Sequence, residues 1–368
     1  MCAKKKYGIL TFQNAENAGA VLQCLALQQA IDDLGYEAEI VNLKCTAVED
    51  PYYKIAPKAN LKGHLRWLLM SKWREKQHDD YKNFRCKYLH MSESLTEQEL
   101  PRIVESYDAV IVGSDQVWNT KITNGSLCYF LNFDAPLGFK RAYAVSLGTS
   151  SFPPELEEDC LALINDFANL NFREEVSADY VRRRLGRETT TACDPTLLLP
   201  REYWEELVIK PSIKKPYVLV FSTGSRPDED WLAFAREIAN SKNIDLVVVD
   251  RAPSPISDAK VFREVSPQEL LGLICYAETV VTASFHGCCF SILFEREFYF
   301  WKSEKSVDVT RRSRIENLLE VLGLSSRAVS ASAHPVYEDI DWVMVRPKLL
   351  KYREESLNTL SSILAIGS

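Results

Sequence analysis

Thr279-Val280-Val281-Thr282-Ala283-Ser284-Phe285-His286-Gly287-Cys288-Cys289-Phe290-Ser291-Ile292-Leu293-Phe294 passes from a β-branched apolar run, through a short polar step, into a second apolar run. The first run reads as a buried strand and 288–294 as a helix, with Ser284 and His286 in the loop between them. Helix amino ends leave backbone N–H groups free and carry partial positive charge, so they bind anions. A histidine there can give or take a proton near neutral pH. The same residue would also serve a purely structural role, bonded to a nearby carbonyl.

Working outward, the alternation repeats. Residues 7–12 read as a strand and 18–34 as a helix with Val21, Leu22, Leu25, Ala26 and Ile31 at helical spacing. Gly35 ends that helix and 37–43 form the next strand, so this is a βαβ unit and a parallel sheet is expected. Further strands fall at 108–112, 141–147 and 189–193, with helices near 154–168 and from 177. Residues 200–215, with Pro200, Pro211 and Pro216 around them, read as a link. A second alternating series follows: strands at 217–222, 244–249, 278–282 and 297–301, helices at 228–241, 267–276, 288–294 and 312–323. A helical tail covers 341–364. The expected organisation is a Rossmann-like unit over 1–200, a second over 201–340, and a tail helix over 341–368 packing back across both. Polar loops then gather at the carboxyl ends of the strands, where open α/β sheets bind ligands.

The 368 residues carry 46% hydrophobic and 26% charged side chains, a globular balance. A formal net charge of −7 speaks against general nucleic-acid binding. No apolar run approaches the roughly 20 residues of a membrane helix, and the basic start Lys4-Lys5-Lys6 leads into a strand rather than a signal sequence. A cytoplasmic protein is expected. Residues 62–90 form a charged helical insertion mixing Trp67, Leu68, Leu69, Met70 and Trp73 with Lys62, Arg66, Lys72, Arg74 and Lys76. It suits either a cover for the sheet or contact with the inner face of a membrane. The ten cysteines show no Cys-x-x-Cys and the five histidines no His-x-x-x-His, so neither a dedicated metal site nor a cofactor is expected.

Several motifs recur in one order. They are Gly8-Ile9-Leu10-Thr11 with Asn17-Ala18-Gly19-Ala20-Val21-Leu22-Gln23; Val112-Gly113-Ser114-Asp115-Gln116-Val117-Trp118-Asn119; Tyr143-Ala144-Val145-Ser146-Leu147-Gly148; Arg173-Glu174-Glu175; Asp194-Pro195-Thr196; Ser284-Phe285-His286-Gly287; and Arg314-Ile315-Glu316-Asn317. In this order the chain resembles the polysaccharide pyruvyl transferase family. The resemblance implies an α/β fold of two Rossmann-like domains facing a central cleft, the glycosyltransferase B type. It also implies transfer of pyruvate from phosphoenolpyruvate, as donor substrate, to a sugar hydroxyl pair as a ketal. On this reading His286 and Arg173 are catalytic, and Arg173, Ser284, Gly287 and Arg314 hold the donor. Arginine suits the donor's carboxylate and phosphate because its fork fixes orientation. Arg311 and Arg312 compete with Arg314 for that place. Without the resemblance, the favoured reading of Arg173 is an ion pair with Glu174, Glu175 or another carboxylate. Two departures from the family pattern are Ala283 for the usual Asp and Cys288 for the usual Thr.

Asn17, Asp115, Gln116, Trp118 and Asn119 are the acceptor candidates, carboxamides for hydroxyls and an indole face for a ring; Trp118 as core and Asp115 as a helix cap are the alternatives. The acceptor is a sugar, free or lipid-linked. The rival readings are a nucleotide-sugar glycosyltransferase of the same fold and an inactive partner in a polysaccharide assembly complex.

Overall fold

The computed structural model describes residues 4–53, 61–222, 226–251, 256–302, 309–332 and 338–367. In chain order its elements are β1 (Lys6–Leu10), α1 (Ala18–Asp33), β2 (Glu37–Ile40), α2 (Thr46–Tyr53), α3 (Leu61–Tyr88), β3 (Ala109–Val112), β4 (Lys140–Ala142), α4 (Pro154–Asn165), β5 (Asn171–Phe172), α5 (Glu175–Leu185), β6 (Thr190–Thr191) and α6 (Arg201–Leu207). The second half carries β7 (Tyr217–Phe221), α7 (Glu229–Lys242), β8 (Asp245–Val249), β9 (Lys260–Phe262), α8 (Pro267–Cys275), β10 (Thr279–Thr282), α9 (Phe285–Leu293), β11 (Glu297–Trp301), α10 (Val309–Leu322), β12 (Ala328–Val329) and α11 (Trp342–Leu364).

All paired strands run parallel. The first sheet is ordered β2-β1-β3-β4, and single bridges Asp115↔Val145 and Val145↔Phe172 carry it on to the β5-β6 pair. The second is ordered β12-β11-β10-β7-β8-β9. Central strands such as β3 (Ala-Val-Ile-Val) and β7 (Tyr-Val-Leu-Val-Phe) are buried at every position, as a sheet covered on both faces requires. Helix starts carry their own caps: Asn17 for α1, Asp228 for α7, and Ser266 with Glu269 in a capping box for α8. Each such cap is worth about 1 kcal/mol.

One apolar core lies between the two sheets. It joins Tyr7, Ile9 and Leu22 of the first to Leu219, Val280 and Ile292 of the second, and takes in Leu360 and Leu364 of α11. The tail helix is fastened to the first sheet by polar bonds as well. Arg141 donates to the carbonyls of Ile363, Leu364 and Ile366, the Tyr7 hydroxyl donates to Leu364 O, and the Ser356 hydroxyl accepts from Cys193 N.

Three readings of the sequence change. The 200–215 link contains α6, whose Trp204 is fully buried and donates its indole N–H to Thr196 O. The strand expected over 141–147 ends at Ala142, because Ala144 turns to φ 46°; beyond it the side chains of Asn169 and Asn171 complete the pairing. Helix α9 begins at Phe285, which moves His286 from a loop into the first helical turn. The segment 62–90 is helical as α3, where Arg263 stacks on Trp73; the side chains of Lys62, Arg66, Trp67, Leu68, Leu69 and Met70 lie outside the described residues.

Candidate active site

Five parallel strands of the first sheet system and one of the second send their carboxyl ends to one place. β10 leads into Ser284, which caps α9 by accepting from Gly287 N at 3.3 Å. That turn aims His286 out of the second sheet. β6 leads to Asp194 and β5 to Arg173, while β3 leads to Asp115 and β4 to Ser146. β1 leads through the Thr11–Asn17 loop to the start of α1.

Asp194 is the hub. It is fully buried, and one oxygen, Oδ1, caps the short turn Pro195–Leu197 by accepting from Thr196 N at 3.0 Å and Thr196 Oγ1 at 2.8 Å. The other, Oδ2, meets Arg173 Nη1 at 2.7 Å and His286 Nε2 at 3.5 Å. The first contact is a short charge-assisted bond; the second is ion-pair range rather than good hydrogen-bond length. Burial alone would raise the Asp194 pKa, but His286 and Arg173 outweigh it and hold the carboxyl well below the usual carboxylate range.

Arg173 is itself enclosed, with a side chain 1% exposed. Its Nη2 lies 3.3 Å from Asp115 Oδ1, its Nε faces Glu174 Oε2 at 3.9 Å, and its guanidinium stacks on the Phe285 ring at 4.7 Å. Burial would lower its pKa, yet Asp115, Asp194 and Glu174 together raise it. Glu174 is fixed in turn by the hydroxyls of Ser146 at 2.6 Å and Ser177 at 2.5 Å. The guanidinium therefore faces three carboxylates inside the wall of the site. This corrects the expectation that it reaches into the open cleft to grip a donor: the burial of so strong a cation is made possible only by partners that occupy it.

His286 is 12% exposed at its side chain. Its ring lies against the first turn of α1: a Cβ on Gly19 would stand 2.0 Å from His286 Nδ1, closer than any real contact. Glycine at 19 is what lets a helix of the first unit touch a side chain of the second. Asn17 just ahead uses its Oδ1 to accept from Gly19 N at 2.9 Å and Ala20 N at 3.4 Å.

The remaining candidates separate. Asp115, at φ 76°, is partly exposed, with Oδ1 also accepting from Gln116 N. Gln116 accepts from Asn119 Nδ2 at 3.1 Å, and both pack on Gly148, whose missing Cβ would stand 2.0 Å from Gln116 Oε1. Trp118 is fully buried, stacked on Phe130, edge-on to Phe167 and Phe172, and donates to Tyr129 O. It is a core anchor, not a platform for a sugar. Gly287 is buried in the first turn of α9. Arg314 is 5% exposed, on a helix that packs against α5 and α9; the side chains of Arg311 and Arg312 lie outside the described residues. Asp194 and Glu174 are site residues that the sequence does not single out; only the fold brings Asp194 to both His286 and Arg173 and sets Glu174 beside the Arg173 guanidinium.

The polysaccharide pyruvyl transferase family model matches residues 17–300. Among solved structures, the S. aureus MnaA–UDP co-structure aligns over 97% of this chain and 91% of its own, at 12% identity and TM-score 0.50. A putative UDP-N-acetylglucosamine 2-epimerase from Listeria monocytogenes aligns over 98% and 91%, at 10% identity and TM-score 0.49. Arabidopsis thaliana UGT89C1 complexed with UDP-L-rhamnose aligns over 98% and 99%, at 11% identity and TM-score 0.49. At such identity the S. aureus likeness speaks for the fold alone, the glycosyltransferase B type. No curated protein matches the chain at comparable stringency. No helix among the described residues is long and apolar enough to cross a membrane.

Proposed function

The chain belongs to the polysaccharide pyruvyl transferase family, and from that premise we propose that it moves a pyruvyl group from phosphoenolpyruvate onto two hydroxyls of one sugar as a cyclic ketal. The observation that supports this most is the pairing of a partly exposed His286 with a buried, ionised Asp194 at the carboxyl ends of strands from both sheets. Such a pair orients an imidazole and complements its charge when it carries a proton, the arrangement general acid–base chemistry needs.

In the proposed reaction His286 delivers a proton to the donor's methylene carbon. One sugar hydroxyl attacks the adjacent carbon and loses its proton. The C–O bond to phosphate then breaks, and the second hydroxyl closes the ring and loses its proton as phosphate leaves as its monohydrogen form. Of the two hydroxyl protons, one balances the new methyl C–H and one departs on phosphate. Arg173 acts in this account as a positioning residue, holding Asp194 and Asp115. The donor's negative charge is met by the amino end of α9 and by Arg314, and the acceptor by the partly exposed Asp115 with Asn17. No cofactor takes part. The acceptor, free or lipid-linked, belongs to polysaccharide biosynthesis.

The test supplies phosphoenolpyruvate labelled with ¹³C at the methylene carbon and a panel of free and lipid-linked sugars, and follows phosphate release with the new methyl resonance. Phosphate and a ketal methyl, both dependent on one acceptor, are expected. No release with any acceptor, together with saturable binding of a nucleotide sugar, would replace this reading with glycosyl transfer.

A further inference from the structure

Among the described residues, one trio of metal-ligating side chains brings its donor atoms within 4.8 Å of one another: the thiols of Cys45 and Cys128 and a carboxylate oxygen of Glu97. The trio shares no residue with the His286–Asp194 site. Its members come from three segments, which is why spacing along the sequence conceals them. Cys45 immediately precedes α2, with its carbonyl accepting from Val48 N and Glu49 N at 3.0 Å each. Glu97 follows a stretch tied to the chain beyond β2 by Lys44 N→Leu95 O at 2.8 Å and Leu95 N→Asn42 O at 2.9 Å. Cys128 opens the short turn Cys128–Phe130.

Both thiols are buried, at 1% and 2% exposure, while Glu97 is exposed. Ser126 supports the third donor. Its hydroxyl donates to Glu97 Oε2 at 2.9 Å and accepts from Cys128 N at 3.4 Å, so it orients the carboxylate and ties it to the backbone of a neighbouring ligand. Outer groups of this kind accompany metal ligands. Around a tetrahedral zinc-type ion, metal–sulfur bonds of about 2.3 Å set the donor atoms roughly 3.5–3.8 Å apart, inside the spread seen here. Two sulfurs and one carboxylate suit such an ion, and they leave a fourth position on the solvent side for water.

We infer that Cys45, Cys128 and Glu97 form a binding site for a zinc-class divalent ion completed by water. Binding releases the proton of each thiol to solvent. The ion clamps the start of α2, the segment before Glu97 and the Cys128–Phe130 turn behind the loop that leads into α1. That loop is fastened to the same region: Gln13 and Asn14 donate to Leu43 O, Asn14 also donates to Glu49, and Phe12 meets Tyr129 edge-on at 4.9 Å.

The probe is Co²⁺ added to the full, reduced protein under anaerobic conditions. One equivalent is expected to give a sulfur-to-cobalt charge-transfer band with tetrahedral visible absorption, both removed by excess Zn²⁺. Cys45→Ser and Cys128→Ser should each abolish or strongly weaken the band, and Cys86→Ser, at an exposed cysteine elsewhere, should leave it. Because a core cysteine variant can fail to fold, the exposed Glu97→Gln carries the same test: its Co²⁺ affinity should fall at least about tenfold. Zn²⁺ should raise the melting temperature of the wild type more than that of Glu97→Gln. Absence of the band, its survival in the folded Cys45→Ser/Cys128→Ser protein, or a Cys45–Cys128 disulfide in protein isolated without reductant would overturn the inference.

Discussion

The turn after β10 and the turn after β3 occupy equivalent places, each at the carboxyl end of a buried parallel strand and each rich in polar side chains. They use that position in opposite ways. After β10, Ser284 caps the helix and frees His286 to reach Asp194 with part of its ring in the open. After β3, Gln116 and Asn119 bond to each other, and Trp118 disappears into the core. Location at a strand end makes a residue available to a cleft. Whether it faces the cleft depends on which of its polar atoms the local turn has already satisfied.

The sharpest way to break this contrast is His286→Ala. Turnover should fall by about 10² to 10⁴, read as acceptor-dependent phosphate release, with the melting temperature nearly unchanged. A variant that retains turnover would put the two turns on an equal footing. Next in size is Asp194→Asn, which leaves Arg173 short of its nearest carboxylate. Denaturant unfolding should show a loss of about 3–5 kcal/mol. Its pH signature is specific. The folded pKa of Asp194 is depressed, so its contribution to stability is present above the ordinary aspartate range and is lost as pH falls below it toward the folded value. The wild type should therefore lose stability below about pH 4 more steeply than Asp194→Asn.

A subtler test is Gly19→Ala, which keeps every site residue but places a Cβ where the His286 ring stands. Displacing the ring should lower turnover by about tenfold to a hundredfold, without the acid-pH signature of the Asp194 variant. The smallest effect is expected at Gln116→Ala. Losing its bond to Asn119 should cost about 1 kcal/mol of stability and leave the acceptor Michaelis constant as it was. A large rise in that constant would mean that Gln116 faces the acceptor beside Asp115 after all.

The alternating architecture was legible because its central strands are unbroken apolar runs and its helices begin with recognisable caps. The short strands β5, β9 and β12 were not, since two or three residues make no pattern. At the site, His286 stood out as a titratable group between a strand and a helix. Asp194 did not, because Asp194-Pro195-Thr196 has the form of a cap and does cap a turn through Oδ1; the second role of Oδ2 exists only in three dimensions. Arg173 had acidic neighbours in sequence, yet its closest carboxylate is Asp194 and another is Asp115, both distant along the chain. Trp118 illustrates the remaining limit: an indole among carboxamides suits a sugar site or a core equally, and only the side of the sheet decides.

The apolar core running between the sheets has a consequence for how this molecule comes apart. Leu22, Val280 and Leu360 belong to one packed body, so neither half keeps a covered surface without the other, and the His286–Asp194 pair draws one member from each. Cleaving the chain near residue 200 should yield two fragments that expose opposing sticky faces and carry, respectively, a carboxylate without its imidazole and an imidazole without its carboxylate. Recombining them would then be a complementation assay, in which return of activity reports the re-zipping of that seam.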